Sequence, residues 1–270
     1  MTTIPLPRRR SRPMLSRGSV MRQVSEGPGC FRLWIESPEI SQVAQPGQFV
    51  NVRSETGWTP LLRRPFSFCD IDPEAGAFSL LYQVVGPGTA RMSQLQAGDP
   101  ISIVGPLGNG FSLDAPTRYS ILCAGGIGIA PFPAVARALQ GRTILRAVIG
   151  ARAESLCLCQ KDLSDLEISL SIATEDGSAG VRGFVTEPLR QALEMNPPGE
   201  TTVFACGPEP MLAAVAALCR EYGCEGQLSV EAVMGCGVGA CLSCVFHTPD
   251  ARYIRSCVEG PVFGTREILF

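Results

Sequence analysis

Four cysteines near the end of the chain, Cys236, Cys241, Cys244 and Cys257, carry the strongest chemical signal in the sequence. Their spacing is C-x4-C-x2-C, then twelve residues, then the fourth cysteine. Three thiolates from one tight loop and a fourth from farther along is the ligand arrangement of a plant-type [2Fe–2S] site. Gly235, Gly237 and Gly239 interleave with the ligands. A loop wrapped around an anionic cluster must turn its backbone N–H groups toward sulfur, which calls for positive φ and no Cβ in the way. A zinc ribbon is the main rival, but it prefers paired C-x2-C units, and only one is present. An iron–sulfur centre moves electrons singly, so the other residues must say where those electrons come from and go.

Two further groups bear on that question. In the first half, Arg64, Pro65, Phe66 and Ser67 open a strand-like run. A guanidinium there offers a planar donor fork to phosphate or to a flavin edge, although an exposed arginine beside a strand-initiating proline reads equally as surface. Downstream, Leu81, Tyr82 and Gln83 supply an aromatic able to stack, and Gly88 and Thr89 stand at a helix start where backbone donors favour an anion. In the second half, Gly125, Gly126, Ile127 and Gly128 follow a strand and open a helix. Gly126 and Gly128 would let a pyrophosphate approach the backbone, but such turns also occur without ligands. Cys206 ends a later strand, where open α/β sheets bind ligands; it could pack against a nicotinamide or be a buried structural thiol.

The elements that must position these residues fall into an ordered series. From about 19 to 113, short runs bounded by Gly, Pro or Asp (Cys30–Glu36, 48–53, 66–71, Ala77–Gln83 and 100–104) predict a small antiparallel barrel. A short helix is expected at 89–95. From about 118 the texture changes. Buried-strand runs at 119–124, 144–149, 168–174 and 202–205 alternate with helices, one following the glycine turn as far as 139 and one amphipathic over 211–222. That alternation predicts a parallel sheet. The expected division is an Arg-rich disordered tail over 1–17, a barrel over 18–115, an α/β nucleotide-binding domain over 116–225 and a cluster module over 226–270. The last is too short for its own core and needs a staple, which a metal cluster would supply. The fold class is therefore β-barrel plus α/β.

Bulk properties narrow the functional classes. With 270 residues, 45% of them hydrophobic, the chain can form about two ordinary cores, and a net charge of −2 gives no reason to expect nucleic acid. Its single histidine, His247, excludes a Rieske site and argues against a His-based zinc site or a Ser-His-Asp triad. Twelve cysteines without a secretory signal predict a reducing cytoplasm rather than a disulfide framework. No unbroken apolar run of ~20 residues predicts a membrane span. Cys157 and Cys159 form the one pair of interest among the remaining cysteines, and Arg152 stands where it could meet a 2′-phosphate.

Taken together, the segments named above resemble the electron-transfer subunits of NAD-dependent dihydroorotate dehydrogenase B, within the ferredoxin reductase-like superfamily. The run from Gly105 to Phe111, the stretch from Cys206 to Met211 and the closing Glu259, Gly260, Pro261, Val262 and Phe263 add to the likeness, which extends from about Ser19 to the C-terminus. Two departures stand out: Phe66 replaces a smaller aliphatic residue, and the gap before Cys257 is short. The resemblance implies FAD contacts at Arg64, Pro65, Phe66, Ser67, Leu81, Tyr82, Gln83, Gly88 and Thr89, and [2Fe–2S] ligation by the four loop cysteines. It also implies NAD(H) as co-substrate, and an FMN-containing dihydroorotate dehydrogenase catalytic subunit as partner, two copies of each. No general acid or base for the organic substrate is then needed on this chain. The alternatives are a diaphorase subunit of an NADPH–ferredoxin reductase, sulfide dehydrogenase or hydrogenase complex, and, from another class, a zinc-binding regulatory protein.

Overall fold

The computed structural model describes residues 12–54 and 61–270. Six antiparallel strands come first: β1 (Met14–Gly27), β2 (Cys30–Glu36), β3 (Phe49–Ser54), β4 (Arg64–Asp72), β5 (Ala77–Gln83) and β6 (Pro100–Leu107). They close into a barrel in the order β1-β2-β5-β4-β3-β6, with β6 pairing back onto β1. The inward positions lie two apart, as the pleat requires. Leu33 and Ile35, Val50 and Val52, Phe78 and Leu80, and Ile101 and Ile103 are all fully buried. At the barrel centre Phe68 meets Phe78 edge to face, with centroids 5.0 Å apart, an arrangement that suits the ring quadrupoles. Helix α1 (Pro38–Ser41) caps one crossover and α2 (Pro87–Met92) another.

The second unit is a seven-stranded sheet: β7 (Tyr119–Gly125), β8 (Ile144–Ala151), β9 (Ser169–Thr174), β10 (Val181–Arg182), β11 (Thr201–Cys206), β12 (Glu225–Ser229) and, after a hairpin of β13 (Val245–His247) and β14 (Tyr253–Arg255), β15 (Val262–Gly264). The order is β10-β9-β8-β7-β11-β12-β15, parallel except for β15. Helices α3 (Phe132–Leu139), α4 (Gln160–Ser164), α5 (Thr186–Glu194) and α6 (Glu209–Tyr222) cover it. Because both faces are covered, β7 reads as a continuous apolar run. Leu122 and Ala124 pack toward α3 with Phe132 and Val135, while Ile121 and Cys123 pack toward α5 and α6 with Leu189 and Val215.

Three expectations change. β1 begins at Met14, inside the stretch assigned to a tail, while the disorder expected over 1–11 concerns residues outside those described. Its first half pairs with β6 and its second with β2, so Arg17 and Arg22 sit on a strand that hydropathy alone does not mark. The helix expected directly after the glycine turn begins only at Phe132, because a 3-10 turn over Gly126–Ile129 intervenes. Finally, the segment from 226 onward is not a separate module at its ends. β12 lies parallel to β11 and β15 antiparallel to β12, so both ends of the cysteine-bearing stretch are strands of the main sheet.

Candidate functional site

In this sheet the strand order reverses between β7 and β11, the place where open α/β sheets leave a crevice beyond their carboxyl ends. The turn after β7 and Cys206 at the end of β11 both lie there. Against that crevice the barrel presents β4 and β5, and between them is a cavity of about 360 Å³. The barrel wall consists of Arg64, Pro65, Phe66, Ser67, Leu81, Tyr82 and Gln83, with Val85 and Thr89. The sheet supplies Ile127, Gly128, Ala130, Pro131 and Cys206, and the approach to the cysteine loop supplies Ser229, Glu231, Ala232 and Met234. Three separately predicted parts of the chain thus meet at one space. Gly88 does not line it but backs Arg64, since a Cβ there would lie 2.8 Å from Nε of Arg64.

The two adjacent arginines have different tasks. Arg63 donates to the carbonyl and the hydroxyl of Ser102, both at 2.8 Å, and so braces β6. Arg64 faces the cavity, with Nη1 donating to the carbonyl of Leu62 at 2.5 Å. Tyr82 is less free than its residue type suggests. Its hydroxyl donates to Gln23 at 2.7 Å, and its ring stacks on Phe31 at 5.9 Å. Burial pushes its phenol well above the usual value, so it stays neutral. The Thr89 hydroxyl is likewise engaged, accepting from the N–H groups of Val85 and Gly86 at 2.9 and 3.2 Å. What Thr89 and Gly88 can offer a ligand is therefore backbone.

The three residues expected at a nicotinamide nucleotide do not share one space. Gly128 and Cys206 line the first cavity, whereas Gly126 lines a second of about 450 Å³. That second space also holds Arg152, Glu175, Phe184 and Met211. Gly128 is required by packing, because a Cβ there would run into the carbonyl of Cys206. Gly126 is required by conformation, with φ at +54°. The Cys206 thiol is pushed up to about 12, chiefly by burial and further by Glu231, with the Ser229 hydroxyl opposing. It is a neutral, apolar neighbour and not a nucleophile. Glu231 and Phe184 were not singled out from sequence: neither falls in a motif, and Phe184 signals itself only in three dimensions, as an aromatic 68% exposed beside a cavity.

The cysteine loop takes the predicted backbone at two of its three glycines, whereas Gly235 is not in the left-handed region. Gly237 and Gly239 take φ of 73° and 83°, and the N–H groups of Val238, Ala240 and Cys241 donate to Sγ of Cys236 at 3.4, 3.3 and 3.4 Å. Cys244 and Cys257 are buried and Cys241 is exposed. The four thiols differ in their surroundings. Cys241 is held down to about 6 by the Ser243 hydroxyl first and also by Cys236, while burial and then Cys244 push Cys257 up to about 12. Among the described residues no three such donors converge as they would around a single ion. Four thiols with no disulfide among them, and backbone N–H groups already turned onto Sγ of Cys236, are a donor set that would suit an anionic [2Fe–2S] cluster. Arg255 steadies the loop, donating to the carbonyl of Gly239 at 3.3 Å while paired with Glu259 at 2.6 Å. Asn109 holds the return segment through the carbonyls of Val258 and Glu259. Phe49 lines the first cavity and also packs with Leu107, Cys244 and Cys257, so one apolar group separates that cavity from the inner thiol pair.

Comparison with known proteins agrees with this geometry. Residues 231–269 match the model of the iron–sulfur cluster binding domain of dihydroorotate dehydrogenase B, and residues 122–217 match the oxidoreductase NAD-binding domain. The chain is 36% identical over 247 residues to the dihydroorotate dehydrogenase B (NAD(+)) electron transfer subunit of Desulforamulus reducens, covering 90% of this chain and 94% of that one. It is 38% identical to the corresponding subunit of Bacillus caldolyticus, covering 88% and 92%. Among solved structures, an NADH-dependent reduced ferredoxin–NADP oxidoreductase superposes with a TM-score of 0.82 at 30% identity, covering 93% of this chain and 89% of that one. A Neisseria gonorrhoeae ferredoxin NADP+ reductase with bound FAD and NADP shares the fold, with a TM-score of 0.67 at 19% identity, covering 77% and 92%.

Proposed function

The chain belongs to the family of electron-transfer subunits of NAD-dependent dihydroorotate dehydrogenase B, and on that premise we propose that it links a dihydroorotate-oxidising subunit to NAD+ in pyrimidine (UMP) biosynthesis. In that role it is an oxidoreductase subunit carrying FAD and a [2Fe–2S] cluster, with NAD(H) as co-substrate and an FMN-containing catalytic subunit as partner. When bound, the flavin supplies the one chemistry the chain lacks, exchange of a hydride on one side and of single electrons on the other. The observation that carries the reading is the shared cavity, whose walls come from the barrel, the crevice of the sheet and the approach to the cysteine loop.

The chain's own residues have binding and positioning tasks. Arg64 offers its fork to a phosphate of FAD, and Pro65, Phe66 and Ser67 present the edge of β4 to the ring. Leu81, Tyr82 and Gln83 form the neighbouring strand wall, and Gly88 and Thr89 approach through backbone. Cys236, Cys241, Cys244 and Cys257 hold the cluster, with the N–H groups around Cys236 offsetting its charge. Gly128 and Cys206 border the nicotinamide, while Gly126 belongs with the remainder of the dinucleotide in the second space. Val233, Val238 and Leu242, 84%, 48% and 57% exposed around the loop, suit a face that the catalytic subunit covers, in a complex of two copies of each chain. The division of labour proposed from sequence, 18–115, 116–225 and 226–270, is kept in this reading with two limits moved, the barrel starting at Met14 and the sheet keeping the strand Glu225–Ser229. Among the described residues no helix is long and apolar enough to cross a membrane, and the proposed place of work is the cytoplasm.

Co-expression with an FMN subunit tests the reading. The expected result is a yellow-brown complex that forms orotate from dihydroorotate with NAD+. The similarity to the NADH-dependent ferredoxin–NADP oxidoreductase favours one second reading, a diaphorase subunit of that kind. Activity toward ferredoxin without orotate formation would establish it instead.

A further inference from the structure

Two ion pairs cross between the barrel and the α/β domain, outside the cavity itself. Arg32, on β2, is only 6% exposed. Its Nη1 and Nη2 donate to Oδ1 and Oδ2 of Asp162 on α4, both at 2.6 Å, the two-pronged geometry of the strongest charge pairs. Nη2 also donates to Sγ of Cys159 at 3.2 Å, and Nε stands 2.8 Å from Glu26, outside hydrogen-bond angle. Cys159 occupies a left-handed conformation, φ 55°, at the start of α4. In the second pair, Asp70 on β4, 7% exposed, meets Nε of Arg137 on α3 at 3.1 Å.

Each pair ties the barrel to the α/β domain beside the cavity, Arg32 to α4 and Asp70 to α3, without lining it. Arg32 stands across the β2–β5 ladder from Leu81, and Asp70 follows Ser67 on β4; Leu81 and Ser67 both line the space. On the far side, α3 begins directly after Pro131, which lines the facing wall. Such pairs are poor adhesive, because dehydrating the charges offsets most of their attraction, and apolar residues of the same volume would hold the domains as firmly. What a two-pronged guanidinium fixes is distance and angle.

We propose that Arg32 and Arg137 are positioning residues that set the width of the cleft in which the nicotinamide meets the flavin. The inference rests on the proposed function. Hydride transfer needs its atoms ~3–3.5 Å apart, and a displacement of ~1 Å costs on the order of a hundredfold in rate. The two-pronged Arg32–Asp162 pair and the single Arg137–Asp70 contact hold the two domains at that gap.

The test is rapid mixing of the intact complex with NADH, following flavin bleaching over a range of NADH concentrations. Asp162→Asn keeps the shape of one pair without its charge, and Arg137→Gln removes the other from a half-exposed site. Each is expected to lower the limiting rate about tenfold or more, with the NADH dissociation constant held within about twofold. The charge-transfer absorbance of nicotinamide on flavin should weaken in parallel, and Arg137→Lys should recover most of the rate. A lower melting temperature with an unchanged limiting rate would overturn the proposal, as would weaker NADH binding at full rate. If Asp162→Asn emerges without flavin, Arg137→Gln decides alone. Failure of NADH to bleach the unmodified complex would instead sink the functional reading.

Discussion

The side-chain amide of Asn51 donates to the carbonyl of Cys236, 3.3 Å away across 185 positions of sequence. The same amide occupies the space that a Cβ at Gly237 would need. Barrel and cysteine loop are therefore fitted to each other directly, and Phe49, two residues earlier on β3, touches both the cavity and the inner thiols. Asn51→Ala should loosen the loop while sparing the flavin. One hydrogen bond of about 1 kcal/mol corresponds to a roughly fivefold loss of cluster retention. Visible circular dichroism during exposure to chelator measures it, and loss of FAD at the same rate would contradict the assignment.

Of the four cysteines proposed to hold the cluster, Cys241 is the exposed one, so its replacement perturbs packing least. Cys241→Ser should leave NADH–dye activity largely intact while uncoupling dihydroorotate oxidation from NAD+. Paired dye-reduction and orotate assays on one preparation check this. If flavin disappears from the variant, the loop is mainly a structural fastener.

Gly88 and Gly128 make a contrasting pair. A Cβ at 88 meets the Nε of Arg64, a side chain that can move, whereas a Cβ at 128 meets backbone at Cys206 and Gly207, which cannot. Gly88→Ala should fold normally and bind FAD about tenfold more weakly, near 1.4 kcal/mol. Gly128→Ala should lower the melting temperature of the whole α/β domain. Fluorescence titration of flavin-free protein and thermal unfolding separate the two effects.

Cys123 and Cys206 lie on adjacent strands, and burial pushes both thiols up to about 12 from an ordinary 9.0. Each thiol holds its proton more tightly in the folded chain than in the unfolded one. The stability they contribute is complete below pH 9.0 and falls as pH rises toward 12. Cys123→Ala should therefore lose less melting temperature than the parent between pH 9 and about 10.5, and identical alkaline slopes would refute the assignment. For the same reason iodoacetamide should leave Cys206 unmodified at neutral pH.

Legibility in the sequence followed the kind of force involved. Strands that bury one face, such as the one bearing Leu33 and Ile35, announce themselves by alternation, and the cysteine loop by ligand spacing that metal chemistry imposes. Glu225–Ser229 has one large apolar residue, Leu228, and is a strand because its backbone pairs with β11; residue types carry little of that. The first half of Met14–Gly27 is hidden similarly, by Ser16, Arg17, Gly18 and Ser19 between its few apolar residues. At the site, residue type singled out Arg64, but only packing distinguishes it, facing the cavity, from Arg63, committed to Ser102. Type also suggested a freely stacking Tyr82, whereas the fold assigns its ring to Phe31 and its hydroxyl to Gln23. The ion pairs of Arg32 and Arg137 join residues far apart in sequence, and no local pattern predicts them.

The placement of β12 and β15 bears on how such a protein is made and maintained. Both flanks of the cysteine segment are fastened by backbone pairing to the main sheet, and none of the four cysteines lies in those paired strands. Biogenesis can therefore run in two stages, with the polypeptide completing its architecture first and the inorganic centre delivered afterwards to a waiting receptacle. A cluster lost to oxidative damage becomes a replaceable part: repair machinery can refill the loop while the nucleotide-binding sheet stays folded, and the chain need not be degraded and synthesised anew.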